Sequence, residues 1–247
     1  MPRSEHGTAL VTGGPRRIGR ELVRACAAAG YDVAVHCRRE DEDARAAVAE
    51  VKAAGRESGA FPCDLADESA VSGLIGRVIA ALGPVTLLVN SASLFRNDTF
   101  DQLERKSWDE HLDINLRAPL VLSRDMAAQG LAGHVVHILD QRVLAPGPDY
   151  FAYTISKAAL WSATRMMAID LAPRIRVNAI GPGPVLANPD QSPADFADEA
   201  ASTPLGRAVD PADIGRALTY LIGASSVTGQ MIAVDGGQHL GLTHARA

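Results

Sequence analysis

Short apolar runs alternate along the chain with longer segments whose apolar residues recur every three or four positions. The runs have the length of single buried strands, and the longer segments have the period of amphipathic helices. Strands that alternate with helices predict a parallel, doubly wound α/β sheet of the Rossmann type, with about seven strands. No linker, repeat or low-complexity segment interrupts the pattern, so we predict a single domain over residues 1–247. The predicted strands are 8–11, 32–37, 58–63, 85–89, 134–139, 175–180 and 231–234.

The helical segments are bounded by residues that commonly begin or end helices. Asp67 is predicted to cap a helix that continues to about Leu82, and Ser107 to cap a second long helix. Residues 185–208 are rich in Pro, Asp and Ala, and we interpret them as a mobile flap over a ligand site, with a short helix inside it. The other predicted helices follow residue 19 as far as residue 30 and span 44–54, 150–172 and 211–222.

Composition argues against several classes of function. A formal net charge of −5 and a pI of about 5.8 disfavour a general nucleic-acid-binding surface. The cysteines, Cys26, Cys37 and Cys63, lack metal-ligand spacing, as do the seven histidines, so we expect no metal site. Free thiols are typical of a reducing cytosol. The N-terminus is short and polar and no apolar run approaches ~20 residues, so we expect a cytoplasmic protein without a signal peptide or membrane span.

A glycine-containing turn joins the first strand to the first helix. It reads Thr12-Gly13-Gly14-Pro15-Arg16-Arg17-Ile18-Gly19. Such a turn lets the backbone approach a ligand closely, and the N–H groups of a helix N-terminus favour phosphate. The stretch therefore predicts a dinucleotide-binding turn, with a plain strand-to-helix turn as the alternative.

The second strand ends in Arg38 and Arg39, with no acidic residue at its tip. An acid there would bind the ribose 2′-hydroxyl of NAD, whereas arginines suit the 2′-phosphate of NADP. Arg17 in the first turn can join them. The alternative is a solvated basic pair beside the acidic residues 40–43. Together with the first turn, the arginines favour NADP.

Tyr153 and Lys157 are four residues apart in a predicted helix, so they lie on one helical face. An ammonium beside a phenol favours the phenolate, so we expect Lys157 to lower the pKa of Tyr153 and make it a proton-transfer group near neutral pH. The alternative is an ordinary amphipathic helix. Asn90 and Asp140 follow two other predicted strands, at the carboxyl edge where ligands bind in open α/β sheets.

In this order and spacing the motifs resemble those of the short-chain dehydrogenase/reductase family over nearly the whole chain. The matching residues are Thr12-Gly13…Gly19, Asp64-Leu65, Asn90-x-Ala92, Asn115, Tyr153-x-x-x-Lys157, Pro182-Gly183 and Asp235-Gly236-Gly237. The resemblance implies that Tyr153 donates a proton, Lys157 holds the nicotinamide ribose and Asn115 positions a relay water. The implied cofactor-binding residues are Gly13, Arg16, Arg17, Ile18, Gly19, His36, Arg38, Arg39, Asp64, Leu65, Asn90, Ser91, Ala92, Tyr153, Lys157, Pro182, Gly183 and Val185. Within this set, Asp64 is expected to face the adenine.

Two departures from the usual family pattern resemble one branch, the pteridine reductases and the bacterial dihydromonapterin and dihydrofolate reductases. Arg17 replaces a usual glycine, and Asp140 stands where the catalytic serine is usual, 13 residues before the tyrosine. An ionised carboxylate cannot donate a hydrogen bond to a carbonyl, so a generic ketone reductase is disfavoured. The resemblance implies that Phe95 stacks on a pterin, that Ser93 helps hold it, and that Arg17 reaches both the pterin and the cofactor phosphate.

We therefore hypothesise an NADPH-dependent reductase that transfers hydride to a C=N bond of a reduced pterin or folate, with Tyr153, Lys157, Asp140 and Asn115 as catalytic residues. The first alternative is an NADP-dependent carbonyl reductase or alcohol dehydrogenase. The second is a non-catalytic NADPH-binding sensor, which would not need Tyr153 or Lys157. The resemblance also implies a homotetramer, in which the tail through His244 and Arg246 reaches a neighbouring subunit.

Overall fold

A computed structural model describes residues 6–188 and 191–241. The strands are β1 (Thr8–Val11), β2 (Asp32–Cys37), β3 (Ser58–Pro62), β4 (Val85–Asn90), β5 (Gly133–Ile138), β6 (Ile175–Pro182) and β7 (Met231–Val234). The helices are α1 (Arg17–Ala28), α2 (Glu42–Ala53), α3 (Glu68–Ser72), α4 (Leu74–Leu82), α5 (Arg105–Leu112), α6 (Ala118–Ala127), α7 (Phe151–Asp170), α8 (Pro193–Ser202) and α9 (Pro211–Gly223). Strands and helices alternate as the hydrophobic pattern predicts.

All seven strands form one parallel sheet in the order β3-β2-β1-β4-β5-β6-β7. The predicted doubly wound fold is confirmed. The chain order reverses between β1 and β4, so the connections after these two strands leave in opposite directions. That divergence opens a crevice at the carboxyl edge of the sheet, where such folds bind ligands.

Two apolar layers cover the two faces of the sheet. One joins the sheet to α1, α2 and α9, and the other joins it to α3, α4, α6 and the end of α7. The inner strands carry apolar side chains on both faces because helices cover both, which explains the continuous apolar runs in the sequence. The rigid sheet therefore holds the strand ends, and the residues that follow them, in fixed relative positions.

Several predicted boundaries need correction. Ser107 does not cap a helix, because the chain leaves its extended conformation at Glu104 and α5 already begins at Arg105. The segment predicted as one helix from Asp67 to Leu82 is divided at Gly73 into α3 and α4, although Asp67 does cap it by accepting from Ser69 and Ala70 N–H. Asp41 caps α2, which therefore starts at Glu42 rather than at residue 44.

The predicted short helix within the flap (residues 185–208) is α8, which Ser192 caps by accepting a hydrogen bond from the Asp195 N–H. Residues 189 and 190 of the flap lie outside the described residues. So do His244 and Arg246, on which the expected contact of the tail depends. Among the helices of residues 6–188 and 191–241, none has the length and apolar character needed to cross a bilayer.

Candidate active site

A cavity of about 1090 Å³ lies at the carboxyl edge of the sheet, over the point where the strand order reverses. Most of the residues predicted to bind cofactor or substrate line it. They are Gly13, Arg16, Arg17, Ile18, Gly19, His36, Arg38, Asp64, Leu65, Ser91, Ala92, Ser93, Phe95, Asp140, Tyr153, Lys157, Pro182, Gly183 and Val185. Arg39, Asn90 and Asn115 lie outside its wall: Arg39 is on the exposed turn after β2, and the two asparagines are buried behind the cavity.

The glycine turn is packed so closely that side chains would not fit at two positions. A Cβ on Gly19 would lie 2.0 Å from the Gly13 carbonyl oxygen, and one on Gly13 would lie 2.9 Å from the Ala92 Cα. Arg17 has φ +52°, a left-handed conformation that explains why glycine is usual at this position. The backbone of this turn can therefore approach a phosphate as closely as a dinucleotide site requires.

His36 supports the glycine turn from below. Its Nδ1 accepts a hydrogen bond from the Gly13 N–H at 3.1 Å, so its Nε2 carries the proton and donates to the Cys63 carbonyl at 3.0 Å. Burial lowers the pKa of His36 to about 4, because a charged imidazole would be desolvated there. His36 thus joins β2, the first turn and the end of β3 as a neutral group.

Arg17 connects the glycine turn to the flap. Its guanidinium donates to the carbonyl oxygens of Leu186 and Ala187 at 2.9 and 2.8 Å. The two partners lie where the flap leaves β6, so the first turn and the start of the flap close over the same side of the cavity. The contacts with pterin and phosphate that the resemblance implies for Arg17 stay predictions.

The charged residues near the tip of β2 form exposed ion pairs. Arg38 pairs with Asp64 at 2.9 Å, and Arg16 pairs with Asp41 at 2.6 Å and also contacts Asp43. The Arg38 side chain is 75% exposed. Exposed pairs of this kind contribute about 0–1 kcal/mol, so an incoming phosphate can compete for the arginine. Arg38 and Asp64, both predicted to bind the cofactor, currently neutralise each other.

Asp140 and Tyr153 form a hydrogen-bonded pair, in which Tyr153 is buried and Asp140 is half-buried. The Tyr153 hydroxyl donates to Asp140 Oδ2 at 2.8 Å, and Asp140 Oδ1 accepts from the Arg142 N–H at 2.8 Å. Burial raises the pKa of Asp140, opposed by the Arg142 N–H, the Tyr153 hydroxyl and the charges of Arg142 and Lys157. The pair faces the cavity next to Lys157.

The prediction that Lys157 lowers the pKa of Tyr153 is wrong in this structure. Burial raises the pKa of Tyr153 well above its ordinary value, and the charge and hydrogen bond of Asp140 raise it further. The Lys157 ammonium lies 5.7 Å from the centroid of the tyrosine ring and donates to the Ile138 carbonyl at 2.7 Å instead of to the phenol. Burial lowers the pKa of Lys157 itself to about 8. The phenol faces a carboxylate and is therefore held in its protonated form.

Two further aromatic rings, Phe95 and Tyr150, lie next to Tyr153. Phe95 stacks on Tyr150, with centroids 4.3 Å apart and an interplanar angle of 4°. Phe95 and Tyr153 form a T-shaped pair, with centroids 4.5 Å apart and an interplanar angle of 77°. Both arrangements are favourable for aromatic pairs. Tyr150 was not predicted from the sequence. The signal was weak: a tyrosine three residues before Tyr153, at the start of the same helix.

Asn115 fixes one end of the segment that carries Ser93 and Phe95. Its Oδ1 accepts from the Leu94 N–H at 2.7 Å and its Nδ2 donates to the Leu94 carbonyl at 2.9 Å and to Ser156 Oγ at 3.0 Å. Asn115 lies in a π-helical turn (Asp113–Arg117) between α5 and α6, a feature frequent at functional sites. These bonds occupy the Asn115 side chain, so a relay water would have to contact the Asn115 backbone. The predicted contact with that water stays a prediction.

The other end of this segment caps α7. Asn97 Oδ1 accepts from the Tyr150 N–H at 3.3 Å, the Asp98 carbonyl from the Phe151 N–H at 3.2 Å, and Asp98 Oδ1 from the Ala152 N–H at 3.1 Å. Consecutive N–H groups at a helix start need such partners. The segment between the two attachments therefore has a defined position relative to Tyr153, although its capping role was not recognised in the sequence.

The flap is attached to the cavity wall by polar side chains. The Asn188 amide donates to the Tyr150 hydroxyl at 3.3 Å, and Glu199 of α8 accepts from Gln191 at 2.9 Å and from Gln238 at 3.1 Å. These contacts tie α8 to the turn after β7. Within the described part of the chain, no cluster of three or more His, Cys, Asp or Glu residues has the geometry of a metal site.

Comparisons with known proteins agree with this geometry. A family model described as enoyl-(acyl carrier protein) reductase matches residues 14–239. Among solved structures, FolM alternative dihydrofolate reductase 1 from Brucella suis, in complex with NADP, is 43% identical with a TM-score of 0.90 over 95% of this chain and 95% of that chain. A short-chain dehydrogenase from Burkholderia cenocepacia J2315, in complex with NADP, is 32% identical with a TM-score of 0.87 over 96% of this chain and 99% of that chain.

Curated relatives include 3-oxoacyl-(acyl-carrier-protein) reductase FabG of Staphylococcus aureus (strain N315). It is 32% identical over 241 residues, which cover 94% of this chain and 98% of the relative. The chain is thus similar over nearly its full length both to a reductase of dihydrofolate and to a reductase of oxoacyl groups.

Proposed function

The chain belongs to the short-chain dehydrogenase/reductase family, and from that premise we propose that it uses NADPH to reduce a C=N bond of a dihydropterin or dihydrofolate. The observation that carries the proposal is the part-buried hydrogen bond between Tyr153 and Asp140, at 2.8 Å, in the wall of the cavity. A carboxylate in this place accepts hydrogen bonds from N–H groups, which a reduced pterin presents and a simple ketone lacks. The 43% identity to a FolM dihydrofolate reductase supports the same substrate class.

NADP(H) fits the residues of the other half of the cavity. The turn leaves no room for a side chain at Gly13 or Gly19, as a close approach to pyrophosphate requires, and Arg16, Arg17 and Arg38 supply positive charge beside it. Asp64, Leu65, Ser91, Ala92, Pro182, Gly183 and Val185 form the remaining wall. When bound, NADPH supplies the hydride; the protein supplies orientation and electrostatics.

Tyr153 supplies the proton. The hydroxyl is protonated at neutral pH and lies in the cavity wall, where it can donate to the ring nitrogen of the C=N bond; burial beside Asp140 raises its pKa and so makes it a weaker acid. Asp140, as a carboxylate, orients the hydroxyl by accepting its hydrogen bond. Lys157 keeps a positive charge next to the pair and has N–H groups left, beyond the one bonded to Ile138, for the ribose hydroxyls of the cofactor.

Phe95 and Ser93 form the substrate side of the cavity. The half-buried Phe95 ring offers an aromatic surface to a flat heteroaromatic ring, and Ser93 Oγ, which donates to Asn115 Oδ1 at 3.2 Å, can still accept a hydrogen bond from the substrate. The two attachments of this segment, at Asn115 and at the start of α7, hold these groups in place before substrate arrives. Preorganisation of this kind lowers the entropic cost of the reactive arrangement.

The alternative substrate class, a carbonyl compound, is favoured by the 32% identity to 3-oxoacyl-(acyl-carrier-protein) reductases. Asp140 argues against it, because the ionised carboxylate has no hydrogen to give a carbonyl oxygen. The two classes can be separated in one assay.

The test is NADPH oxidation with a dihydropterin and dihydrofolate, beside a panel of ketones, aldehydes and 3-oxoacyl thioesters. Turnover of the pterins and not of the carbonyl compounds supports the proposal. Turnover of carbonyl compounds alone would overturn the substrate class while leaving the roles of Tyr153 and Lys157. Tight NADPH binding with no turnover of any compound would favour a sensor.

We also propose that the protein acts as a homotetramer in the cytosol. The outer face of α7 exposes Ile155, Met166 and Ile169, which are 40%, 70% and 81% accessible and lie on one side of the helix. A second copy of the chain would cover this apolar face. Analytical ultracentrifugation should give the mass of four chains, and Ile169→Glu should reduce it; a wild-type monomer would contradict the proposal.

A further inference from the structure

Arg142 lies directly beside the proton-donating pair without belonging to it. It is the second residue after Asp140, in a 3₁₀ turn (Gln141–Val143), and its N–H bonds Asp140 Oδ1 at 2.8 Å. Its side chain is only 18% exposed. The guanidinium bonds both carboxylate oxygens of Asp149, at 3.0 and 3.4 Å. A cation is thus held in the cavity wall by a partner that is itself 43% exposed.

The same guanidinium also holds Tyr150. It lies 4.7 Å from the centroid of that ring, which also stacks on Phe95 with centroids 4.3 Å apart. Tyr150 has φ +54°, a left-handed conformation that a bulky residue adopts only when its surroundings enforce it. Stacking by Arg142, together with the Asn188 hydrogen bond to the Tyr150 hydroxyl, provides that enforcement.

The charges around the Asp140–Tyr153 pair come from four elements. Lys157 of α7 and Arg142 of the 3₁₀ turn are the cations, and both lower the pKa of Asp140. Asp149 of the next loop and Glu199 of α8 act on Arg142 in turn. His137 of β5 stays neutral, since burial and Lys157 lower its pKa to about 3. Arg142 therefore adds positive charge that Asp149 partly cancels.

We propose that Arg142 is a positioning residue that sets the charge balance of the Asp140–Tyr153 pair and holds Tyr150 against Phe95. The carboxylate of Asp149 partly neutralises the charge of Arg142. The proposal rests on the proposed role of Tyr153 as proton donor. It gives Arg142 two separable effects, one on the protonation of the pair and one on the aromatic wall of the substrate site.

The first effect is tested by the pH profile of kcat in Arg142→Met and Asp149→Asn. Removing the cation should raise the pKa of the pair, so the alkaline fall of kcat should move to higher pH by about half a unit or more. Removing the carboxylate leaves the cation less compensated, so the same limb should move to lower pH. A packing role alone would leave both profiles unmoved or move them together, and either result would overturn the proposal. Arg142→Gln replaces Arg142→Met if the latter does not fold.

The second effect is tested by Arg142→Lys, which keeps the charge and loses the planar group. The pH profile should stay close to wild type, while KM for the dihydropterin should rise about threefold or more because the stack on Tyr150 is weakened. KM for NADPH should not change. An unchanged KM for the dihydropterin would remove the aromatic half of the proposal.

The proposed function and this inference can fail separately. If the wild type reduces only carbonyl compounds, the substrate class fails, and the same pH comparison is made with the compound that turns over. If nothing turns over, near-ultraviolet titration of tyrosinate in the NADPH complex, with Tyr153→Phe subtracted, reports the pKa of Tyr153 directly. Opposite shifts in Arg142→Met and Asp149→Asn would still support the role of Arg142, and parallel or absent shifts would reject it.

Discussion

The two halves of the cavity are built differently. At the carboxyl ends of β1 to β3 the cavity wall is mainly backbone. It consists of the glycine turn, which is held by His36 and by close contacts at Gly13 and Gly19. Next to β5 and α7 the cavity wall is mainly side chains. They are Tyr153, Asp140, Arg142 and the neighbouring rings of Phe95 and Tyr150. The backbone half can be recognised from a motif, because glycine is required where a Cβ does not fit. The side-chain half depends on contacts between residues that no local motif joins.

The charges differ in the same way. Arg16 and Arg38, in the backbone half, form exposed ion pairs, whereas Lys157 is buried and Asp140 is half-buried. Buried charges act through a low effective dielectric and shift one another's pKa values, while exposed pairs are screened. Substitutions in the side-chain half should therefore alter chemistry, and those in the backbone half should alter cofactor affinity or stability.

The largest effect is expected for Tyr153→Phe, which removes the proton donor. Turnover should fall by about 10²- to 10⁴-fold, while the Kd for NADPH stays within about twofold. Steady-state kinetics and fluorescence titration measure the two quantities. Tyr220→Phe, on the exposed face of α9, is the matched control and should keep wild-type activity. Near-normal turnover of Tyr153→Phe would remove the distinction between the halves.

Acidification should act on the backbone half through His36. Its pKa is near 6.5 in the unfolded chain and about 4 in the fold, so the unfolded chain binds the proton first. The stability that neutral His36 provides is complete above pH 6.5 and is lost as the pH falls towards 4, by up to about 3 kcal/mol.

His36→Asn is the test, because its Oδ1 can still accept from the Gly13 N–H without titrating. Urea unfolding should show a smaller loss of free energy between pH 6.5 and 4 in this variant than in the wild type. His134 and His137 are also held neutral by burial and should keep part of the slope. Equal slopes in the two proteins would argue against the neutral tautomer.

Gly19→Ala should affect cofactor binding more than chemistry. Its Cβ would lie 2.0 Å from the Gly13 carbonyl oxygen, so the turn must shift. We expect the Kd for NADPH to rise about tenfold or more, equivalent to ~1.4 kcal/mol or more, as measured by calorimetry. Gly76→Ala in α4 has no atom within 4 Å of its new Cβ and should bind NADPH normally. A Gly19→Ala enzyme with normal affinity would contradict the close packing of the turn.

The smallest effect is expected for Asp98→Ala, which removes a cap of α7. The free energy of unfolding should fall by about 1 kcal/mol, and kcat should fall with little change in KM for NADPH, because the helix start carries Tyr153. Asp98→Asn keeps an oxygen for the Ala152 N–H and should recover most of both losses. If Asp98→Asn is as impaired as Asp98→Ala, the negative charge matters and not the cap.

The sequence was sufficient to predict the parallel, doubly wound sheet, which follows from the periodicity of apolar residues. It was also sufficient to single out Tyr153 and Gly19, because each belongs to a motif within one segment. It was insufficient for Tyr150 and Arg142, whose roles come from rings and charges that meet only in the folded chain. The direction of the pKa shift of Tyr153 was predicted wrongly for the same reason. Helical spacing placed Lys157 near the phenol, but the hydrogen bond to Ile138 and the burial beside Asp140 are tertiary features.

The hydrogen bonds from Arg17 to Leu186 and Ala187 also affect how the protein is made. The partners are 169 and 170 residues apart in sequence, so one side of the cavity exists only after most of the chain has been synthesised. Contacts of such long range form late, because their loop must close first. A nascent chain that ends before residue 186 would thus present the glycine turn without its cover, and tight cofactor binding should require synthesis to continue past residue 187.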